Sequence, residues 1–173
     1  MWSADTPQVN PTRRRLLAAA AGALLLAGCG FQPRHYVGLS NRAILFRFEK
    51  AAQLEPLLNE LLAGQRVRRV TRVEEAEAIV TLGPLVERRE ILSLSGRGQV
   101  REYGLRALLT VRATDRAGNE IIAPLQLASE RDYGYDESLI TPRAEEEQLL
   151  FHDMRRELLR RALLLLDRRL AAR

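Results

Sequence analysis

Glu102-Tyr103-Gly104-Leu105-Arg106-Ala107-Leu108-Leu109-Thr110-Val111-Arg112-Ala113-Thr114 is an alternating stretch. Tyr103, Leu105, Ala107, Leu109, Val111 and Ala113 fall on one side of an extended chain. Glu102, Arg106, Thr110, Arg112 and Thr114 fall on the other. Side chains along a strand point alternately to opposite faces, so this pattern predicts a strand with one buried face. Leu108 alone breaks it.

The flanking segments extend the same theme. Ala78 to Leu94 is rich in Ile, Val and Leu, with Pro84 marking an edge position or a bulge. Ser95-Gly96-Arg97-Gly98 is a hairpin turn signal between it and the alternating strand. Asp115 to Asn119 is a second turn, and Glu120 to Tyr133 a third long strand. Together they predict an antiparallel meander. Ala43 to Phe48 reads as an earlier strand, and Arg66 to Val73 as a brief extended segment.

Two helical patterns must cover the apolar face of this sheet. Leu54, Leu57, Leu58, Leu61 and Leu62 share one helical face, with Pro56 in the first turn and Gly64 as the stop, which predicts a helix over 54–63. A second helix is predicted over 142–170, with Thr141 as N-cap and Pro142 at the first helical position. Glu145 to Glu147 near its start and Arg168 and Arg169 near its end suit the helix dipole. Phe151, Met154, Leu158, Ala162 and Leu165 form an apolar stripe, widened by Leu159, Leu163, Leu166 and Leu170. That stripe either packs on the sheet or lies along a membrane surface.

The amino-terminal segment has a different character. Arg13, Arg14 and Arg15 precede an apolar run from Leu16 to Ala27 that is too short to span a bilayer. Leu26-Ala27-Gly28-Cys29 closes it with small residues before the only cysteine of the chain. This is the order of a secretory signal peptide, and its end resembles the bacterial lipobox, in which the cysteine takes the lipid. Residues 1–28 are therefore read as a lipoprotein signal peptide, 29–42 as a lipidated tether, and 43–173 as a single domain. Export could follow the general route or the twin-arginine route. The anchored chain has no second cysteine for a disulfide, so its core must hold without one.

The chain has 27 Lys and Arg against 22 Asp and Glu, a formal net charge of +5. Lys50 is the sole lysine. Arginine suits planar, forked binding of phosphate, but a GC-rich genome would give the same bias. A basic chain could also bind nucleic acid, although an exported lipoprotein meets little of it. His35 and His152 show no pairing for a metal site or a triad. Gly96-Arg97-Gly98 lacks the third glycine and the strand-to-helix setting of a dinucleotide loop. No catalytic residues, metal ligands or cofactor site are expected, apart from the covalent lipid on Cys29.

Three local matches, in order along the chain, resemble the lipopolysaccharide-assembly lipoprotein family LptE. Leu26 to Phe31 reads L-A-G-C-G-F, similar to the family's maturation site. Gly98 to Tyr103 reads G-Q-V-R-E-Y, similar to the family's G-Q-x-x-E-Y at the start of the central strand. Ser129 to Tyr133 then leads by a short loop to Glu145-Glu146-Glu147-Gln148, as in the family's passage from strand to helix. The resemblance implies an α/β (α+β type) fold, two helices packed on one face of a four-stranded, largely antiparallel (mixed) sheet. It implies a non-catalytic outer-membrane lipoprotein that plugs the lumen of the LptD β-barrel from the periplasmic side and binds lipopolysaccharide. Gly30 after the cysteine, rather than an aspartate, resembles outer-membrane sorting. The arginine-for-lysine bias departs from better-known members and leaves individual ligand contacts open.

On the residues themselves, Arg97 and Arg101 at the hairpin tip are the candidate phosphate ligands, with Leu92, Leu94 and Val100 beside them for apolar contact. A solvated hairpin is the alternative, with Arg143 before the last helix as the next candidate. The rival functional reading is a non-catalytic envelope adaptor that binds another protein and no glycolipid. The leader makes one prediction directly. Cys29→Ser should leave an uncleaved or soluble precursor that takes up no radiolabelled palmitate; unchanged cleavage and membrane fractionation would rule out acylation at Cys29.

Overall fold

The computed structural model describes residue 39, residues 41–134 and residues 140–172, the side chains of residues 140–143 excepted. All belong to one unit, Tyr36–Arg173. The signal peptide and most of the 29–42 tether lie outside the described residues.

Strand β1 (Ala43–Phe48) leads through a short 3-10 turn into helix α1 (Glu55–Leu62), which has Pro56 in its first turn. Strand β2 (Arg68–Arg69) and a second 3-10 turn follow. The long strands are β3 (Ala78–Leu94), β4 (Val100–Thr114) and β5 (Glu120–Gly134), and helix α2 (Ile140–Ala171) ends the fold. The helix starts one residue before Thr141, so the expected N-cap lies inside it.

The sheet has five strands in the order β2-β1-β3-β4-β5, one more than expected. The addition is the two-residue β2, whose stretch the sequence showed only as a brief extended segment. Its partner is β1: Arg68 N–H donates to Arg42 O at 3.0 Å and Val70 N–H to Ile44 O at 3.1 Å. Two residues are too few for hydropathy to reveal a strand.

β1 pairs with β3 in parallel only as far as Leu82. There the β3–β4 register slips between Leu82 and Leu85, around Pro84. Gly83 has φ +118°, and a Cβ on it would lie 1.9 Å from the Glu49 carbonyl oxygen, so glycine is required where the chain leaving β1 crosses β3. Beyond this point β3, β4 and β5 continue as a three-stranded blade. The slip also changes which β3 residues face the helices. Val80 and Leu82 pair with Ala113 and Val111 before it; Leu85, Glu87 and Arg89 pair with Leu109, Ala107 and Leu105 after it.

The expected face of β4 is the buried one. Leu105, Ala107, Leu109, Val111 and Ala113 are all buried, while Arg106 and Arg112 are exposed. They share one core with Leu57, Leu58 and Leu62 of α1 and with Met154, Leu158, Leu159, Ala162, Leu163 and Leu166 of α2. The α2 stripe is thus occupied by the sheet, which resolves its two readings in favour of packing. Each large side chain fully buried there contributes about 1.5–3 kcal/mol. No described helix is long and apolar enough to cross a membrane. Leu108, the exception to the alternation, sits on the opposite face between Val86 and Ala128, and all three are half-buried.

Toward the hairpin end of the blade the core gives way to polar contacts with α2. Arg155 forks onto Glu87 with both nitrogens at 2.7 Å. Glu157 accepts from Ser129 Oγ at 2.8 Å and from Arg131 at 2.7 Å. Nearer the tip, Glu147 accepts from Tyr133 OH at 2.6 Å and from Arg89 at 3.0 Å, and Arg89 also lies over the Tyr103 ring. The spacing is self-consistent. Glu87, Ala107 and Ser129 form one cross-strand row, met by helix residues 155 and 157; Tyr103 and Tyr133 form another, met by Glu147. Nine residues of helix and four of strand each rise about 13 Å, so α2 runs alongside β4 without drift.

Burial, and then the hydrogen bond to Glu147, push the Tyr133 hydroxyl up to about 12 from its ordinary 10.0. Its folded-state pKa lies above the unfolded value. The stability it contributes is therefore complete below about pH 10 and lost as pH rises toward 12. Tyr133→Phe should cost about 1.5 kcal/mol at pH 7, the low end for a hydrogen bond to a charged group. It should also flatten the fall in melting temperature between pH 10 and 12; a variant with the wild-type alkaline profile would show that this bond does not hold the helix.

Candidate functional site

The blade ends in the β3–β4 turn. Ser95 N–H donates to Gln99 O at 2.7 Å and Gly98 N–H donates back to Ser95 O at 2.9 Å. The Ser95 hydroxyl accepts from Gln99 N–H at 3.1 Å and Arg97 N–H at 3.3 Å. Gly98 takes φ +79°, the left-handed conformation that closes such a turn with least strain in glycine. Ser95 thus orders the loop from inside, leaving the Arg97 side chain exposed.

Arg97 and Arg101 are brought together at this end, one in the turn and one on the first residues of β4, and both are exposed. Their guanidinium groups form no hydrogen bond or ion pair with a described residue. Ten other arginines, at 42, 69, 72, 89, 106, 112, 131, 155, 156 and 161, are each committed to a carboxylate, whereas Arg88 on β3 and several arginines away from the blade are, like Arg97 and Arg101, in no ion pair with a described residue. Arg143 lies in the first turns of α2. By the helix-to-strand spacing its backbone is at about the level of Arg101; its side chain is outside the described residues. Cys29 is likewise outside them.

Apolar groups accompany the two arginines. Ile91, Leu92 and Leu94 are exposed by 57%, 52% and 56%, against three large apolar side chains of comparable exposure elsewhere among the described residues. Leu92 and Leu94 were legible as apolar neighbours of the turn, and Val100 is half-buried. Ile91 was not, because its orientation depends on register shifts between Ile91, Ser93 and Leu94 that leave no trace in composition. Leu92 rests on Gly104, where an added Cβ would come within 3.0 Å of its Cδ2. Behind the tip, on the helix side, stand Tyr103 and Tyr133, with ring centroids 5.7 Å apart. The result is a small amphipathic end: open guanidinium groups beside branched apolar side chains, on an ordered turn, backed by aromatic rings.

A concave region of about 400 Å³ lies at the opposite end of the sheet. It is lined by Asn41, Arg68, Glu75, Glu77, Asp115 and Arg116 among others. Its charges are largely committed: Arg42 pairs with Glu77, Arg72 with Glu75, and Asp115 caps its own turn through Ala117 and Asn119 N–H.

The fold has solved counterparts. It is similar to lipoprotein B from Nitrosomonas europaea, with a TM-score of 0.70 at 23% identity over 83% of this chain and 94% of that one. It is also similar to the rare lipoprotein B from Shewanella oneidensis, with a TM-score of 0.59 at 23% identity over 76% and 92% of the two chains. A minor lipoprotein from Acinetobacter baumannii gives a TM-score of 0.57 at 24% identity over 71% and 90%. At these identities the likeness shows the fold alone. No curated protein sequence gives a significant match. Residues 42–165, from β1 to near the end of α2, match the family model described as LptE, lipopolysaccharide-assembly. The chain belongs to the LptE lipopolysaccharide-assembly family.

Proposed function

We propose that this chain is a non-catalytic outer-membrane lipoprotein, anchored through acyl chains on Cys29, that plugs an LptD-like β-barrel and binds lipopolysaccharide at the tip of its blade. Family membership supports the assembly role. The observation that carries the binding site is the coincidence at one turn of uncommitted Arg97 and Arg101 with exposed Ile91, Leu92 and Leu94. Lipopolysaccharide offers the matching chemistry, clustered phosphates on an acyl base. Guanidinium forks bind phosphate through charge-assisted hydrogen bonds, each worth about 1.5–3 kcal/mol when well formed. Branched apolar side chains beside them meet the acyl portion. The Cys29 anchor tethers the chain to the membrane without spanning it, on the periplasmic side and inside the barrel lumen. The role requires no cofactor and no metal.

The test is Arg97→Glu combined with Arg101→Glu. Glycolipid binding should fall by at least tenfold at low salt, and the wild-type affinity itself should weaken as salt rises. Co-purification with the barrel should persist, because the turn is remote from the packed core. Wild-type binding by the double variant at low salt would move the site elsewhere, with Arg143 next to be changed. Loss of barrel association in a folded variant would favour the adaptor reading instead.

A further inference from the structure

The last strand of the sheet has a long edge with no strand paired to it among the described residues, and a set of side chains on α2 and β5 occupies the middle of it. β5 has 15 residues and, among the described residues, no strand beyond it. The opposite edge strand, β2, is two arginines long and therefore offers little to pair with. β5 offers far more. Its stretch Ile121-Ile122-Ala123-Pro124-Leu125-Gln126-Leu127-Ala128-Ser129 has no charged residue, and Leu125 is 43% exposed. An uncharged, β-prone run on an exposed edge is the usual template for pairing with another copy of itself.

Two features interrupt that template. Pro124 has no N–H, and it falls where the β4–β5 register slips between Val111 and Ala113. Next along the strand, two carbonyls are already taken. Arg161 Nη1 donates to Ala128 O at 2.8 Å, and Arg131 Nη1 donates to Glu130 O at 2.7 Å. These residues are two apart, so their carbonyls point the same way within the sheet plane. The second nitrogen of each guanidinium goes to one carboxylate: Arg131 Nη2 lies 2.7 Å from Glu157 Oε2, and Arg161 Nη2 bonds Glu157 Oε1. Buried Ser129 fixes Glu157 from the strand itself at 2.8 Å. Glu157 thus holds two arginine forks so that each has one arm on the carboxylate and one on the strand edge.

We propose that the Arg131–Glu157–Arg161 clamp is an edge guard that keeps β5 from pairing with β5 of a second copy of this chain. The geometry explains the choice of residue. Arginine can satisfy a carboxylate and a carbonyl at once through its planar fork; the single ammonium of lysine cannot span both in this arrangement. The ion pairs are half-exposed and contribute little stability, so occupancy of the carbonyls is their main effect.

The experiment uses the full chain in detergent, with the protein mass per micelle measured by light scattering across a range of concentrations, and amide exchange read over 125–131. The wild type should remain one chain. Arg131→Ala with Arg161→Ala should double the protein mass as concentration rises, with protection gained over 125–131. If that variant fails to fold, Arg161→Lys keeps the charge and loses the fork, and should dimerise in the same way. A folded variant of either kind that stays one chain throughout, or that dimerises with protection gained elsewhere, overturns the proposal.

Discussion

The odd-numbered face of β4 lies against one stripe of α2, and the rest of the structure is arranged around that contact. Leu105, Ala107, Leu109 and Val111 are buried against Met154, Leu158, Leu159 and Leu166 in the same core that takes in α1. A slip of one residue in β4 would put Arg106 and Arg112 into that core and Leu105 and Leu109 into solvent. Burying even one unpaired guanidinium costs several kcal/mol, so the register is fixed by penalty as well as by gain. Helix α2 and strand β4 are matched in length, at about 48 Å and 50 Å, which lets one helix cover the strand from base to tip.

Apolar burial does not continue to the tip. From the Leu105 row outward the helix-side positions of the neighbouring strands become Arg89 and Arg131, then Tyr103 and Tyr133, and the helix presents Glu147 and Glu157 to them. Burial works against the Glu157 carboxylate, but hydrogen bonds from Ser129 and Arg131 and the charges of Arg161 and Arg131 outweigh it and hold its pKa below the ordinary value. Half-exposed pairs of this kind add about a kcal/mol each at most. They also bear on position: the Arg89–Glu147 and Tyr133–Glu147 contacts fix the height of the first turns of α2 beside the hairpin. These pairs commit Arg89 and Arg131 on the helix side of the blade, while Arg97 and Arg101 at its end stay unpaired among the described residues.

Features with a repeating pattern were legible in the sequence. Six alternating residues gave the face of β4, leucine spacing gave α1, and the terminal stripe gave α2 within one or two residues of its ends. The misses share a physical cause, dependence on contacts between segments far apart in sequence. β2 exists only because Arg68 and Val70 reach β1. Leu108 looked anomalous because its companions, Val86 and Ala128, come from other strands. The face of Ile91 depends on bulges, and the capping of Ala128 O depends on a residue 33 positions away. Of the candidate site, the turn and its two arginines were readable locally. That Arg89 and Arg131 are paired while these two are not was not readable, because the partners Glu147 and Glu157 come from α2. Cys29 and the Arg143 side chain stand as sequence readings alone.

In the proposed function the blade is a rigid arm, built by the β4–α2 contact, with its ligand chemistry confined to the far end. Amide hydrogen exchange of the full chain, with and without lipopolysaccharide in detergent, tests this most directly. Exchange through the core of β4, from Leu105 to Ala113, should be slow and unchanged by the glycolipid, while new protection appears within residues 91–101. Protection spread instead along the outer face of the sheet, at Arg106, Leu108 and Thr110, with the tip unchanged, would contradict it.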